Sequence, residues 1–117
     1  MRVTKVALVV KVVLLAGCAT NPASMTREYG TSPQAIHDAV IDLAVSRGWI
    51  VDRETDSMVV VIEQRAIGDV VYQVRAVPAA GGSSVTANIY NDDPRMGRQP
   101  MYSSTYEAFF ADIDASL

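Results

Sequence analysis

The sequence predicts an α+β fold: a four-stranded antiparallel meander with two helices packed on one face, in the order α-β-β-β-β-α, preceded by a cleavable signal peptide. Three observations predict it. Apolar residues recur at helical spacing in two separated segments. Four valine- and tyrosine-rich segments between them are joined by short turns. Ahead of all of these lies one apolar run bounded by positive charge. The chain has 117 residues, which is enough for one domain. The expected division is residues 1–17 as leader, 18–31 as an attachment point and flexible tether, and 32–117 as a single globular domain.

Residues 1–5 include Arg2 and Lys5, and residues 6–16 are apolar apart from Lys11. Eleven helical residues would span about 16 Å, roughly half the hydrocarbon core of a bilayer. That is too short to cross a membrane and suits the hydrophobic stretch of a signal peptide. The run ends in Leu15-Ala16-Gly17-Cys18, which holds the only cysteine. These four residues resemble the lipobox of bacterial lipoprotein precursors. The resemblance implies that the Cys18 thiol receives a diacylglyceryl group. It also implies that signal peptidase II recognises Leu15, Ala16 and Gly17 and cuts before Cys18. The residue types suit that chemistry: a thiol is the nucleophile, and small side chains let extended backbone enter a protease cleft. Lys11 departs from the pattern, because a charge inside the stretch weakens insertion. Ala19 in place of Asp implies, by the same resemblance, sorting to the outer membrane.

Cutting before Cys18 leaves 100 residues with seven Arg, no Lys and thirteen Asp and Glu, a formal charge of −6. A domain this acidic is repelled by phosphate backbones, so no nucleic-acid partner is expected. One cysteine forms no intrachain disulfide and no cysteine-cluster metal site.

Residues 19–31 are small and polar without apolar period, and read as a linker of up to about 45 Å. Tyr29 is a candidate apolar cover near the first helix. That helix starts at Ser32 as N-cap with Pro33 in the first helical position. Its stripe is Ile36, Ala39, Val40, Leu43 and Ala44, and Gly48 is the left-handed stop. His37, the only histidine, falls on its more polar side. It is a candidate base or pH sensor, but no nucleophile stands near it in sequence, so a solvated or capping histidine is expected.

Residues 49–54, 58–66, 70–77 and 84–90 read as strands. Val70, Tyr72, Val74 and Ala76 share one face, as do Val85, Ala87 and Ile89. The opposite face carries Gln73, Arg75, Thr86 and Asn88 and is expected to be partly wet. Residues 91–101 have no period and read as a long loop. Asp92 and Asp93 point apart and lack calcium-loop spacing. Arg95 and Arg98 are candidate contacts for an anionic head group or an acidic partner. Ser104 and Glu107 form a capping box for the last helix. Its stripe of Tyr106, Phe109, Phe110, Ile113 and Leu117 is expected to pack on the sheet.

The segment 32–90, with Arg47-Gly48-Trp49 ending the early helix and a valine-rich strand soon after, resembles small Gram-negative outer-membrane lipoproteins of the α–β–β–β–β–α type. Some accessory lipoproteins of envelope assembly machines have domains of this kind. The resemblance implies a fold and a compartment and assigns no binding residue. The chain has no Gly-rich phosphate loop, no Cys–His metal spacing and no Gly-x-Ser-x-Gly elbow. No catalytic residue, metal or cofactor is therefore expected. The expectation is a non-enzymatic, lipid-anchored protein of the outer membrane that faces the periplasm and binds an envelope protein. The alternative is a periplasmic carrier of a small hydrophobic ligand or lipid.

Overall fold

A computed structural model describes residues 21–117. Leu15, Ala16, Gly17 and Cys18 lie outside the described residues. The elements are β1 (Met25–Tyr29), α1 (Pro33–Arg47), β2 (Ile50–Glu54), β3 (Met58–Glu63), β4 (Asp69–Ala79), β5 (Gly82–Asp93), β6 (Gly97–Pro100) and α2 (Ser103–Ser116). The class is α+β, but the antiparallel sheet has six strands where four were expected. Its order is β1-β5-β4-β3-β2, and β6 also pairs with β5.

Both extra strands lie along one edge of β5. Met25 to Tyr29 pair with Ala87 to Ser83, so part of the expected tether is sheet. Gly97 to Pro100 pair with Asp93 to Tyr90, so the expected loop is mostly a hairpin. The two strands follow one another along the same edge because β5 has twelve residues and each covers only part of it. Neither strand has a strong pattern of its own. Each is held by the edge it meets, which is a tertiary effect.

The helix α1 forms as its sequence predicts. The Ala35 N–H donates to Ser32 Oγ at 3.2 Å, and Pro33 stands in the first turn. Gly48 has φ 72°, and Trp49 N–H donates to the Ala44 carbonyl at 2.8 Å. The second helix departs from expectation. It starts at Ser103 after Tyr102, with no side-chain cap, so the Ser104–Glu107 capping box does not form. Pairing of Pro100 with Tyr90 and a Met101 N–H bond to the Ile89 carbonyl set where this helix begins. Glu107 instead pairs with Arg27 at 3.8 Å.

The turn expected over 78–83 shrinks to Ala80-Gly81, with Gly81 at φ 78°. Pro78 stays in β4 because its neighbour β3 has ended, its last pair being Met58 with Arg75. No N–H is missed there.

One face of the sheet carries both helices. Val59, Val61, Tyr72, Val74, Ala76, Val85, Ala87 and Ile89 meet Ile36, Val40, Leu43, Tyr106, Phe109, Phe110 and Ile113 in one contiguous core. The α2 stripe therefore packs on the sheet as expected, except for half-exposed Leu117 at its end. An aromatic chain crosses this core. Trp49 stacks on Tyr72 at 4.6 Å, Tyr72 meets Phe109 at 5.0 Å, Phe109 meets Phe110 at 6.1 Å, and Phe110 meets Tyr29 at 6.5 Å. Arginines close it at both ends. Arg47 lies over Trp49 and pairs with Asp112 at 2.9 Å; Arg27 lies over Phe110. Among the described residues no helix is long and apolar enough to cross a membrane.

Candidate functional site

Among the described residues, no helix lies on the other face of the sheet. The strand register places its residues in rows. Ile50, Ile62, Val71, Tyr90 and Pro100 form one row across five strands. Arg53, Val60, Gln73 and Asn88 form the next, and Met58, Arg75, Thr86 and Thr26 the third. Val60, Val71 and Tyr90 are only 6–8% exposed, although no helix of the described residues covers them. Neighbouring side chains do so. Met58 and Ile62 pack against them, Arg98 lies over the Tyr90 ring at 4.5 Å, and Gln73 donates to the Tyr90 hydroxyl. Long side chains with apolar stems shield apolar surface while their charged heads stay in water. Strand alternation alone does not single out this second cluster. Its signal was the unbroken run Val59-Val60-Val61-Ile62, which puts apolar side chains on both faces of β3.

Beside that row, Ala23, Asn88, Tyr90, Arg98 and Pro100 line a shallow, open recess of about 190 Å³. It sits between the start of β1 at Met25 and the end of β6 at Pro100. The chain thus enters the domain at the edge of the sheet, between this recess and the Tyr106 hydroxyl of α2.

Arg95 and Arg98 take different places. Arg95 is in the turn of the β5–β6 hairpin. Asp93 Oδ1 accepts the N–H groups of Arg95 at 2.7 Å and Met96 at 3.3 Å, and Gly97 follows at φ 77°. Asp93 is thus a turn-forming residue. Arg98 is on β6 opposite Asp92, with its guanidinium against Tyr90. The structure does not bring the two arginines into one pocket.

The arginines divide into two groups. Arg27, Arg47 and Arg65 pair with Glu107, Asp112 and Glu63. Arg53, Arg75, Arg95 and Arg98 enter no ion pair among the described residues, and all four lie on the uncovered face or the adjoining hairpin. The acids Asp38, Asp42, Glu107, Asp112 and Asp114 belong to the helix layer.

His37 is not on a polar surface. It is 2% exposed, and among the described residues its Nε2 has no hydrogen-bond partner. The apolar stripe of α1 is wider than its strongest positions suggest and takes His37 in. No Cys lies among the described residues, and no three His, Asp or Glu there converge as a metal site.

The remaining open element is β2. Among the described residues it ends the sheet, with no strand beyond it. All five of its residues are exposed, including Ile50 at 42% and Val51 at 38%. The register slips between Val51 and Arg53, leaving Asp52 as an extra residue. Such a bulge limits how far a further strand can pair.

No protein-family model matches the chain, and no curated protein sequence matches it.

Proposed function

We propose that this chain is a lipid-anchored lipoprotein of a Gram-negative outer membrane that faces the periplasm and acts by binding another envelope protein, without catalysis. The anchoring half rests on Leu15-Ala16-Gly17-Cys18 after a short cationic and apolar leader. Two or three acyl chains on Cys18 hold a protein firmly, at roughly 0.8 kcal/mol for each buried CH₂. The binding half rests on one observation: β2 is an edge strand whose Ile50 and Val51 are both exposed. A partner strand would gain main-chain hydrogen bonds there, and the two apolar side chains, on opposite faces, would set register. The bulge at Asp52 confines such pairing to the start of the strand.

Two experiments test the two halves. Labelling with a palmitate analogue should mark the wild type and spare Cys18→Ala, which accumulates as precursor; equal labelling sinks the anchor. A photocrosslinking residue placed at Ile50 in living cells should give a discrete adduct that the same residue at Asp42 on α1 does not. The adduct should disappear when Val51→Lys is added to a protein that still melts cooperatively. Identical patterns from both positions would rule out β2 as the binding edge.

A further inference from the structure

We infer that the uncovered face of the sheet lies on the lipid surface, with the guanidinium groups of Arg53, Arg75 and Arg98 against anionic phosphates. This inference rests on the anchoring at Cys18. Five residue steps separate Cys18 from Ala23, and they span at most about 17 Å. From Ala23 onward the backbone is held: the Tyr106 hydroxyl lies 3.1 Å from the Ala23 carbonyl, and Met25 begins β1. The lead is far shorter than the thirteen-residue linker expected from composition. It also reaches the domain at a defined place, the recess beside Tyr90, Arg98 and Pro100. An anchor there keeps the uncovered face, which borders the recess, within reach of the bilayer.

The charge distribution favours the same orientation. Arg53 and Arg75 occupy the middle rows of that face, where no acid stands in register and the nearest acid along β2 is the bulged Asp52. Asp69 and Asp92 lie at one end and Glu28 at the other. Arg98 has turned onto Tyr90 and the recess, away from an ion pair with Asp92. Most of the net charge of −6 lies on the helices, which carry Arg47 against Asp38, Asp42, Glu107, Asp112 and Asp114, a formal −4. The molecule's shortest dimension is 20 Å, while charges are screened over about 8 Å at physiological ionic strength. The acids of the helix layer are therefore screened from the surface that the arginines meet. Ile50, Ile62 and Pro100 add an apolar row that suits the boundary between head groups and acyl chains.

The described residues close their own core, so the chain can be made from Cys18 onward without its leader. Coupling its single thiol to a maleimide-headgroup lipid supplies the anchor chemically, independent of whether cells lipidate Cys18. The anchored protein on vesicles of phosphatidylcholine, with and without phosphatidylglycerol, is treated with phenylglyoxal. Modification of each arginine is read by mass spectrometry. Arg53, Arg75 and Arg98 should react about fivefold more slowly on the anionic vesicles, the gain of one arginine near such a surface. Arg47 and Arg65 should keep their rates, and high salt should restore the other three. Unchanged rates on Arg53 and Arg75, or slowing of Arg47 and Arg65 instead, overturn the inference. So does protection that is absent on vesicles but present in native membranes, which would assign the face to an acidic protein. Failure of palmitate labelling alone would remove the cellular anchor and leave the vesicle result standing.

Discussion

The Tyr106 hydroxyl closes a gap in the sheet by accepting the backbone N–H of Ile89 at 2.9 Å. Between β1 and β6 no described strand lies beside β5, and the polar groups of Ile89 point into that gap. Tyr106, fully buried on α2, takes the N–H, and Met101 donates to the carbonyl at 3.1 Å. The same hydroxyl holds the Ala23 carbonyl. One side chain thus joins the last helix, a central strand and the point where the chain enters the domain.

Tyr106→Phe should therefore cost about 1–3 kcal/mol, the penalty for a buried N–H left without a partner. A urea melt measures the loss. Native-state hydrogen exchange should quicken at Ile89 before it does in β3. A neutral substitution would mean that water enters the gap and replaces the hydroxyl.

Gly82 is tied to β1 by space. A Cβ there would stand 1.9 Å from the Tyr29 carbonyl oxygen and 2.8 Å from the Gly30 Cα. Both are backbone atoms, so β1 must move. Gly82→Ala should cost about 1–3 kcal/mol, as overpacking does. Exchange should rise in Met25–Tyr29 while α1 keeps its protection. Unaltered β1 amides would refute the close approach.

His37 offers the opposite effect. Its Nε2 is buried without a partner, and a buried unsatisfied polar atom is costly. His37→Leu keeps the shape roughly and removes that atom. The variant should be about 1 kcal/mol more stable, seen as a higher midpoint in urea at unchanged slope. A lower midpoint would show that the imidazole has a partner in solution.

Stability should fall in alkali. Burial, then the hydrogen bond to Glu63, raise the Tyr72 phenol above its ordinary 10.0; burial and Asp114 do the same to Tyr29. A raised pKa favours the neutral phenol in the folded state. That stabilisation is complete below pH 10 and is lost as the pH climbs through the raised values. The melting temperature should hold to about pH 10 and then drop. Tyr72→Phe should flatten the drop, while lowering stability at neutral pH through loss of the 2.8 Å bond to Glu63. An identical alkaline slope in wild type and variant would assign the fall to other groups.

Phe109 tests the core. It is 3% exposed and touches both Tyr72 and Phe110. Phe109→Asp places an unpaired charge in that cluster and should abolish the cooperative transition. A variant that melts normally and loses only a binding partner would make the stripe a surface site.

The first helix was readable because its signals are local. Ser32, Pro33, the Ile36–Val40–Leu43 stripe and Gly48 lie within one element, and each acts on its own turn. The alternation in β4 was readable for the same reason. The start of α2 was not. Ser104 and Glu107 have the right spacing for a cap, but Arg27 takes Glu107 and the pairing of Pro100 sets the boundary. His37 was misplaced because the width of a buried stripe depends on what packs against it.

By itself the sequence determined the α+β class, the first helix, the inward faces of β4 and β5, the packing role of the Phe109 stripe and the resemblance of residues 15–18 to a lipobox. Only the tertiary structure decided that residues 25–29 and 97–100 are strands, that Arg53, Arg75 and Arg98 share a face, and that the chain enters beside that face. The reason is physical. Local signals lie in side-chain period and caps, whereas an edge strand is stabilised by hydrogen bonds to a neighbour far away in the chain. Met25–Tyr29 has no pattern that announces a strand until Ser83–Ala87 lies alongside it.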